Sequence, residues 1–145
     1  MRRVFCTSVI TLLLTLVLNG QEITVKSAPD TTVILIGDQT GFTVTASLPA
    51  GVNAKLSSAA DTLAGRIVIL RRSLRDTAVM PDNRLQITDR YLVTSFDSGS
   101  YTIPPFYAEI AEGDSLVRFY SDYSFIRVLR PDVAPPDSTD VIFDI

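Results

Sequence analysis

Catalysis and metal binding need side chains that hold a proton, a cation or a reactive electron pair, and this chain offers few. It has no histidine and one cysteine, Cys6. The commonest general base, the commonest zinc ligand and every Ser-His-Asp arrangement are therefore missing. Lys26 and Lys55 are the only lysines. Lys55 stands near Ser57 and Ser58, the residue types of a Ser-Lys dyad, but no motif surrounds them and a solvated loop explains the group better. Two carboxylate groups have the chemistry to converge on calcium, which wants several oxygens from one loop. They are Glu109, Glu112 and Asp114 at an expected hairpin tip, and Asp137, Asp140 and Asp144 in the tail. Neither has the spacing of a calcium loop, and the seven glycines are scattered at turns without forming a phosphate cradle. The expectation is a chain without catalytic residues, bound metal or cofactor.

Recognition is better served than catalysis. Tyr107, Phe119, Tyr120, Tyr123 and Phe125 form the densest aromatic group, the kind of side chain that carries contact area at low entropic cost. Core packing and ordinary surface tyrosine account for most of such a group. Any exposed remainder is the expected interaction patch, for a protein or for a sugar. A second constellation is Asp97, Gly99 and Tyr101 within Phe96-Asp97-Ser98-Gly99-Ser100-Tyr101-Thr102-Ile103. Asp-x-Gly-x-Tyr before a strand predicts a β-sandwich corner in which glycine takes the tight turn and the tyrosine hydroxyl returns to nearby backbone. Asp97 is expected to make a partly buried pair with Arg84 or Arg90. All three residues are read as structural.

The elements that must hold these residues read as short alternating runs separated by turns, with no long apolar pattern of helical period. The cleanest is 42–48, where Phe42, Val44, Ala46 and Leu48 share one face and hydroxyl residues the other. Strands are also expected around Ile23 and Val25, over 33–36, and over 67–70, this last buried on both faces. Residues 85–95 and 101–110 are expected to pair as a central hairpin, and 116–120 with 123–129 as the final pair. Pro104 and Pro105 cannot donate ladder hydrogen bonds, so the chain there must lie at an edge, bulge or switch sheets. Residues 49–65 read as a long loop with one helical turn over 57–63. The fold class is all-β, an immunoglobulin-like β-sandwich of seven to nine strands.

The ends give the address. Arg2 and Arg3 followed by the apolar run 4–18 read as a signal peptide over 1–20, cut near Asn19-Gly20-Gln21 and short for a spanning helix. Cys6 sits inside the apolar run, a poor position for acylation, and its removal leaves no thiol. The β-sandwich then covers 21–130, about one domain's worth of chain. Loss of Arg2 and Arg3 leaves 11 basic against 16 acidic side chains, a net of about −5, which disfavours nucleic acid as a partner. Residues 131–145 read as a proline-rich linker and the start of a possible further segment.

One resemblance covers most of the mature chain. Val33-Ile34-Leu35-Ile36-Gly37-Asp38-Gln39, Asp61-Thr62-Leu63, Ile87-Thr88 and the run from Thr94 through Ser95-Phe96-Asp97-Ser98-Gly99-Ser100-Tyr101 to Pro104-Pro105-Phe106 occur in an order that resembles the periplasmic Ig-like proteins of the Bacteroidetes Bat (aerotolerance) operons, BatD-like proteins among them. The resemblance implies an exported domain of a membrane-anchored protein working beside von Willebrand factor A and tetratricopeptide-repeat partners, with no catalytic residues. Those proteins usually continue to a transmembrane helix, and this chain departs from them there. The expectation is thus a periplasmic or extracellular interaction or scaffolding module with envelope protein partners. The competing expectation is a carbohydrate-binding or adhesive surface module.

Overall fold

The computed structural model describes residues 22–132. The expected signal peptide, and the expected linker after Asp132, lie outside the described residues. The chain runs through β1 (Thr24–Pro29), β2 (Val33–Leu35), β3 (Gln39–Pro49), β4 (Ala54–Leu56), β5 (Thr62–Ala64), β6 (Ile67–Arg72), β7 (Asp76–Val79), β8 (Arg84–Thr94), β9 (Gly99–Ile103), β10 (Tyr107–Glu112), β11 (Ser115–Tyr120) and β12 (Ser124–Leu129). No helix occurs among the described residues. The fold is all-β, with its sheets in a β-sandwich-like arrangement.

One layer has the order β1-β3-β8-β6-β5, with β7 also on β8. It is organised by β3, whose Phe42, Val44, Ala46 and Leu48 are fully buried while Thr43, Thr45 and Ser47 face outward. This is the expected period-two pattern of a strand with one wet face. All eleven residues of β3 pair antiparallel with β8, from Gln39↔Thr94 to Pro49↔Arg84. The other layer is made of β2-β12-β9 and β11-β10-β4. The chain crosses into it after Asp30, whose N–H closes on the Gly41 carbonyl at 2.9 Å. There β2 pairs with β12 in parallel.

The strands outnumber the expected seven to nine because proline and bulges interrupt them. Residue pairs Ser124↔Ile103 and Tyr107↔Tyr120 keep one register across β9–β12 and β10–β11. Between them the Ser121 N–H donates to the Phe106 carbonyl at 2.8 Å in that same register. β9 with β10, and β11 with β12, are therefore the two arms of one long hairpin interrupted at Pro104-Pro105. Likewise β6 and β7 are successive pieces along β8. So grouped, the strands fall into nine lanes, with β1, β3, β8 and β6 in one layer and β4, the β9–β10 arm and the β11–β12 arm in the other. This is the division of an immunoglobulin-like sandwich.

The prolines change which residues face inward. Ile103 and Phe106, three apart, are both buried, as are Ser121 and Ser124 on the facing arm. Each arm has thus turned its alternation over by one residue, as a bulge does. Phe106 is thereby aimed across the sandwich between Phe42 and Tyr91, at ring-centroid distances of 5.9 and 6.1 Å. One apolar cluster joins both layers around these rings. Ser27 on β1 lies over the interruption, its hydroxyl 3.2 Å from that of Ser121 and 3.3 Å from that of Ser124.

Four expectations are corrected. Residues 85–95 and 101–110 form no hairpin, because β8 and β9 belong to different layers and 95–98 is the corner between them. Residues 116–120 and 123–129 do not pair with each other, being successive parts of one arm. The run 67–70 is buried at Ile67 only and ends exposed at Leu70, since β6 bulges between Ile69 and Arg71. Residues 49–65 contain β4 and β5 and no helical turn.

Candidate functional site

Gly99 and Tyr101 of β9 shape the corner that leads out of β8. The Tyr101 hydroxyl donates to the Asp97 carbonyl at 2.9 Å, and Gly99 takes φ +152°, a backbone state that disfavours any side chain. Its ring is flanked by Gly99 and by Gly65 of the β5–β6 turn, where φ is +48° and an added Cβ would stand 3.3 Å from Tyr101 Cδ1. The partner of Asp97 is Arg66 at 2.9 Å, not Arg84 or Arg90, and the pair is exposed, at 69% and 49%. The reason is topological. The corner leaves the β8 ladder beside the β5–β6 turn, while Arg84 lies at the far end of β8, donating to the Ser47 hydroxyl at 3.1 Å and to the Glu22 carbonyl. The hydrogen bond to Asp97, then its charge, raises the pKa of Arg66 above its ordinary value.

The aromatic group divides. Tyr107 and Tyr120 face each other across β10–β11 with ring centroids 5.6 Å apart. Arg118 lies over the Tyr107 ring, 4.3 Å from its centroid, and its Nε donates to Glu109 Oε2 at 2.9 Å. The Glu109 bond first, then that of the Tyr120 hydroxyl, raises the Arg118 pKa. Phe119 points the other way and packs on the core. Tyr123 sits in the interruption and Phe125 on the outer side of β12. Leu116, Tyr120, Tyr123 and Phe125 are 66, 58, 62 and 60% exposed. Val33 and Leu35 of β2, in register with Arg127 and Leu129, continue an apolar stripe beside them.

The carboxylates do not gather. Glu109 is taken by Arg118, Glu112 and Asp114 are exposed at the β10–β11 turn, and no cluster among the described residues has the makings of a metal site. Asp137, Asp140 and Asp144 lie outside the described residues. Lys55 is on β4, and the Ser57 hydroxyl accepts the Tyr107 N–H at 2.9 Å.

A charged centre that was not expected lies at Asp89. It occupies the inward face of β8 between Ile87 and Tyr91, and its side chain is fully buried. Arg75 grips it from the β6–β7 connection, Nε to Oδ1 at 2.9 Å and Nη2 to Oδ2 at 2.6 Å. Arg72 adds a contact at 3.1 Å while lying over the Tyr91 ring at 5.6 Å. Arg75 also donates to the Leu56 carbonyl at 3.3 Å, tying β4 to the opposite layer. Burial alone pushes the Asp89 carboxyl up, but the hydrogen bonds and charge of Arg75, joined by Arg72, outweigh it and the net shift is downward. The arrangement suits a structural clamp, since both carboxylate oxygens are occupied. Its sequence signal was a charged residue at a core position of an otherwise alternating strand.

Compared with known proteins, the chain matches no protein-family model and no curated sequence, so what the site can do is read from its own residues.

Proposed function

We propose that this chain is an exported, non-catalytic interaction or scaffolding module of the bacterial cell envelope, binding a protein partner through the outer face of β11, β12 and β2. The observation that carries this reading is the exposure of Leu116, Tyr120, Tyr123 and Phe125 along one arm, with Arg118 between the first two and Arg127 beyond the last. Tyrosine, phenylalanine and arginine are the residues that concentrate at protein interfaces, and contiguous exposed apolar surface marks binding sites. The signal-peptide pattern of 1–20 supports a periplasmic or extracellular address. The resemblance of the Thr94–Phe106 region to BatD-like proteins supports a membrane-associated complex of the Bat type.

The test is capture of partners from envelope extract by the wild-type chain and by Tyr123→Ala/Phe125→Ala, identified by mass spectrometry. A discrete partner recovered by the wild type and lost by the double variant is expected. Equal recovery by both rejects the stripe as the binding surface.

A further inference from the structure

A cleft of about 180 Å³ opens on the outer face of β4, β10 and β11, lined by Lys55, Ser57, Tyr107, Glu109 and Arg118. Cross-strand register arranges it in two rows. Lys55, Glu109 and Arg118 stand abreast in one. Ser57, whose N–H donates to the Tyr107 carbonyl at 2.8 Å, stands beside Tyr107 and Tyr120 in the other. The first row holds two cations and one carboxylate, a local positive excess on a chain of net charge −3. Glu109 is committed to Arg118 through Oε2. The ammonium of Lys55, directly opposite Glu109 in the ladder, makes no ion pair or hydrogen bond among the described residues.

We propose that this cleft binds a saccharide unit bearing a carboxylate, of the uronic-acid class, beside the protein-binding stripe, with which it shares Arg118 and Tyr120. Each group in the cleft answers to a part of such a ligand. Lys55 and the remaining donors of the Arg118 fork meet the carboxylate. Glu109 Oε1 accepts from a sugar hydroxyl. The Ser57 hydroxyl, which accepts the Tyr107 N–H through its oxygen, keeps its own proton to donate. Tyr120 offers an exposed ring beside them for the C–H face of the sugar. An acidic peptide fits less well, because its carboxylates bring no hydroxyl for Glu109 Oε1. A neutral sugar leaves Lys55 unanswered.

The test is titration of the full chain with a galacturonic acid tetrasaccharide, the galactose tetrasaccharide and a glutamate-rich peptide, followed by amide chemical shifts and by affinity. The acidic sugar is expected to shift residues 55, 107, 109 and 118. It is expected to bind at least about tenfold tighter than the other two probes, and to lose about tenfold in Lys55→Gln and in Tyr120→Ala. Lys26→Gln, on the opposite layer, separates a specific site from general charge attraction and is expected to bind as wild type. These substitutions are at exposed positions, and an unchanged thermal midpoint verifies folding. No binding, equal binding of the neutral sugar or the peptide, or equal loss in Lys26→Gln overturns the proposal. The protein-binding stripe is judged separately, by partner capture with Tyr123 and Phe125 altered and Lys55 and Tyr120 left in place.

Discussion

Asp89 is the residue on which the two layers' electrostatics turn. Its carboxylate is buried and, among the described residues, is answered by Arg75 and Arg72. Removing one partner of such a group strands a charge, so Arg75→Ala is expected to cost about 3–5 kcal/mol in chemical denaturation. Replacing both with a well-packed apolar pair is expected to cost less. Because the folded pKa of Asp89 is depressed, its stabilisation is present in full above the ordinary carboxylate value of about 4 and declines as pH falls through the lower folded value. Asp89→Asn is therefore expected to be less stable at neutral pH and flatter between about pH 5 and pH 2 than wild type. An identical acid slope contradicts the clamp. Tyr101 carries a smaller load: Tyr101→Phe removes one hydroxyl bond to the Asp97 carbonyl and is expected to lower stability by about 1 kcal/mol. The two differ in legibility for a physical reason. Asp97, Gly99 and Tyr101 lie within five residues, and local turn chemistry is written locally. Asp89 meets arginines 14 and 17 residues away, across a strand break that no local pattern announces.

Among the elements, the hairpin from Gly99 to Leu129 shows how two prolines can shape a sheet without ending it. They interrupt the ladder, both arms turn over together, and Phe106 is delivered to the core between Phe42 and Tyr91. Phe106→Ala is expected to cost about 3–5 kcal/mol, the usual range for a large ring removed from a packed core. The Ser121 amide, held by the Phe106 carbonyl at 2.8 Å, is expected to exchange as slowly as its β11 and β12 neighbours. Fast exchange there would mean two separate hairpins. The alternating faces of β3 and the ends of β8 were readable because each strand runs eleven residues, long enough for period two to stand out. β4 and β5, three residues each, leave no periodic signal, and a loop was the natural reading. Partner lanes were not readable, since strands adjacent in sequence join different layers at the corner.

At the scale of the whole molecule, a single apolar cluster shared by both layers leaves two outer faces of different character. The face of β1, β3 and β8 carries Thr24, Lys26, Thr45, Ser47 and Gln86 around an open groove that Met80 and Pro81 also line. The opposite face carries Tyr107, Tyr120, Tyr123, Phe125, Val33 and Leu35. Such an asymmetry is what a module needs to bind on one side and stay soluble on the other. The most direct measurement places a photoreactive benzophenone side chain at position 125, or at position 43 on the polar face, and irradiates each chain in envelope extract. Crosslinking of one discrete protein from position 125 and none from position 43 is expected. Equal labelling from both faces, or labelling from position 43 alone, contradicts a binding surface on the β11–β12 arm.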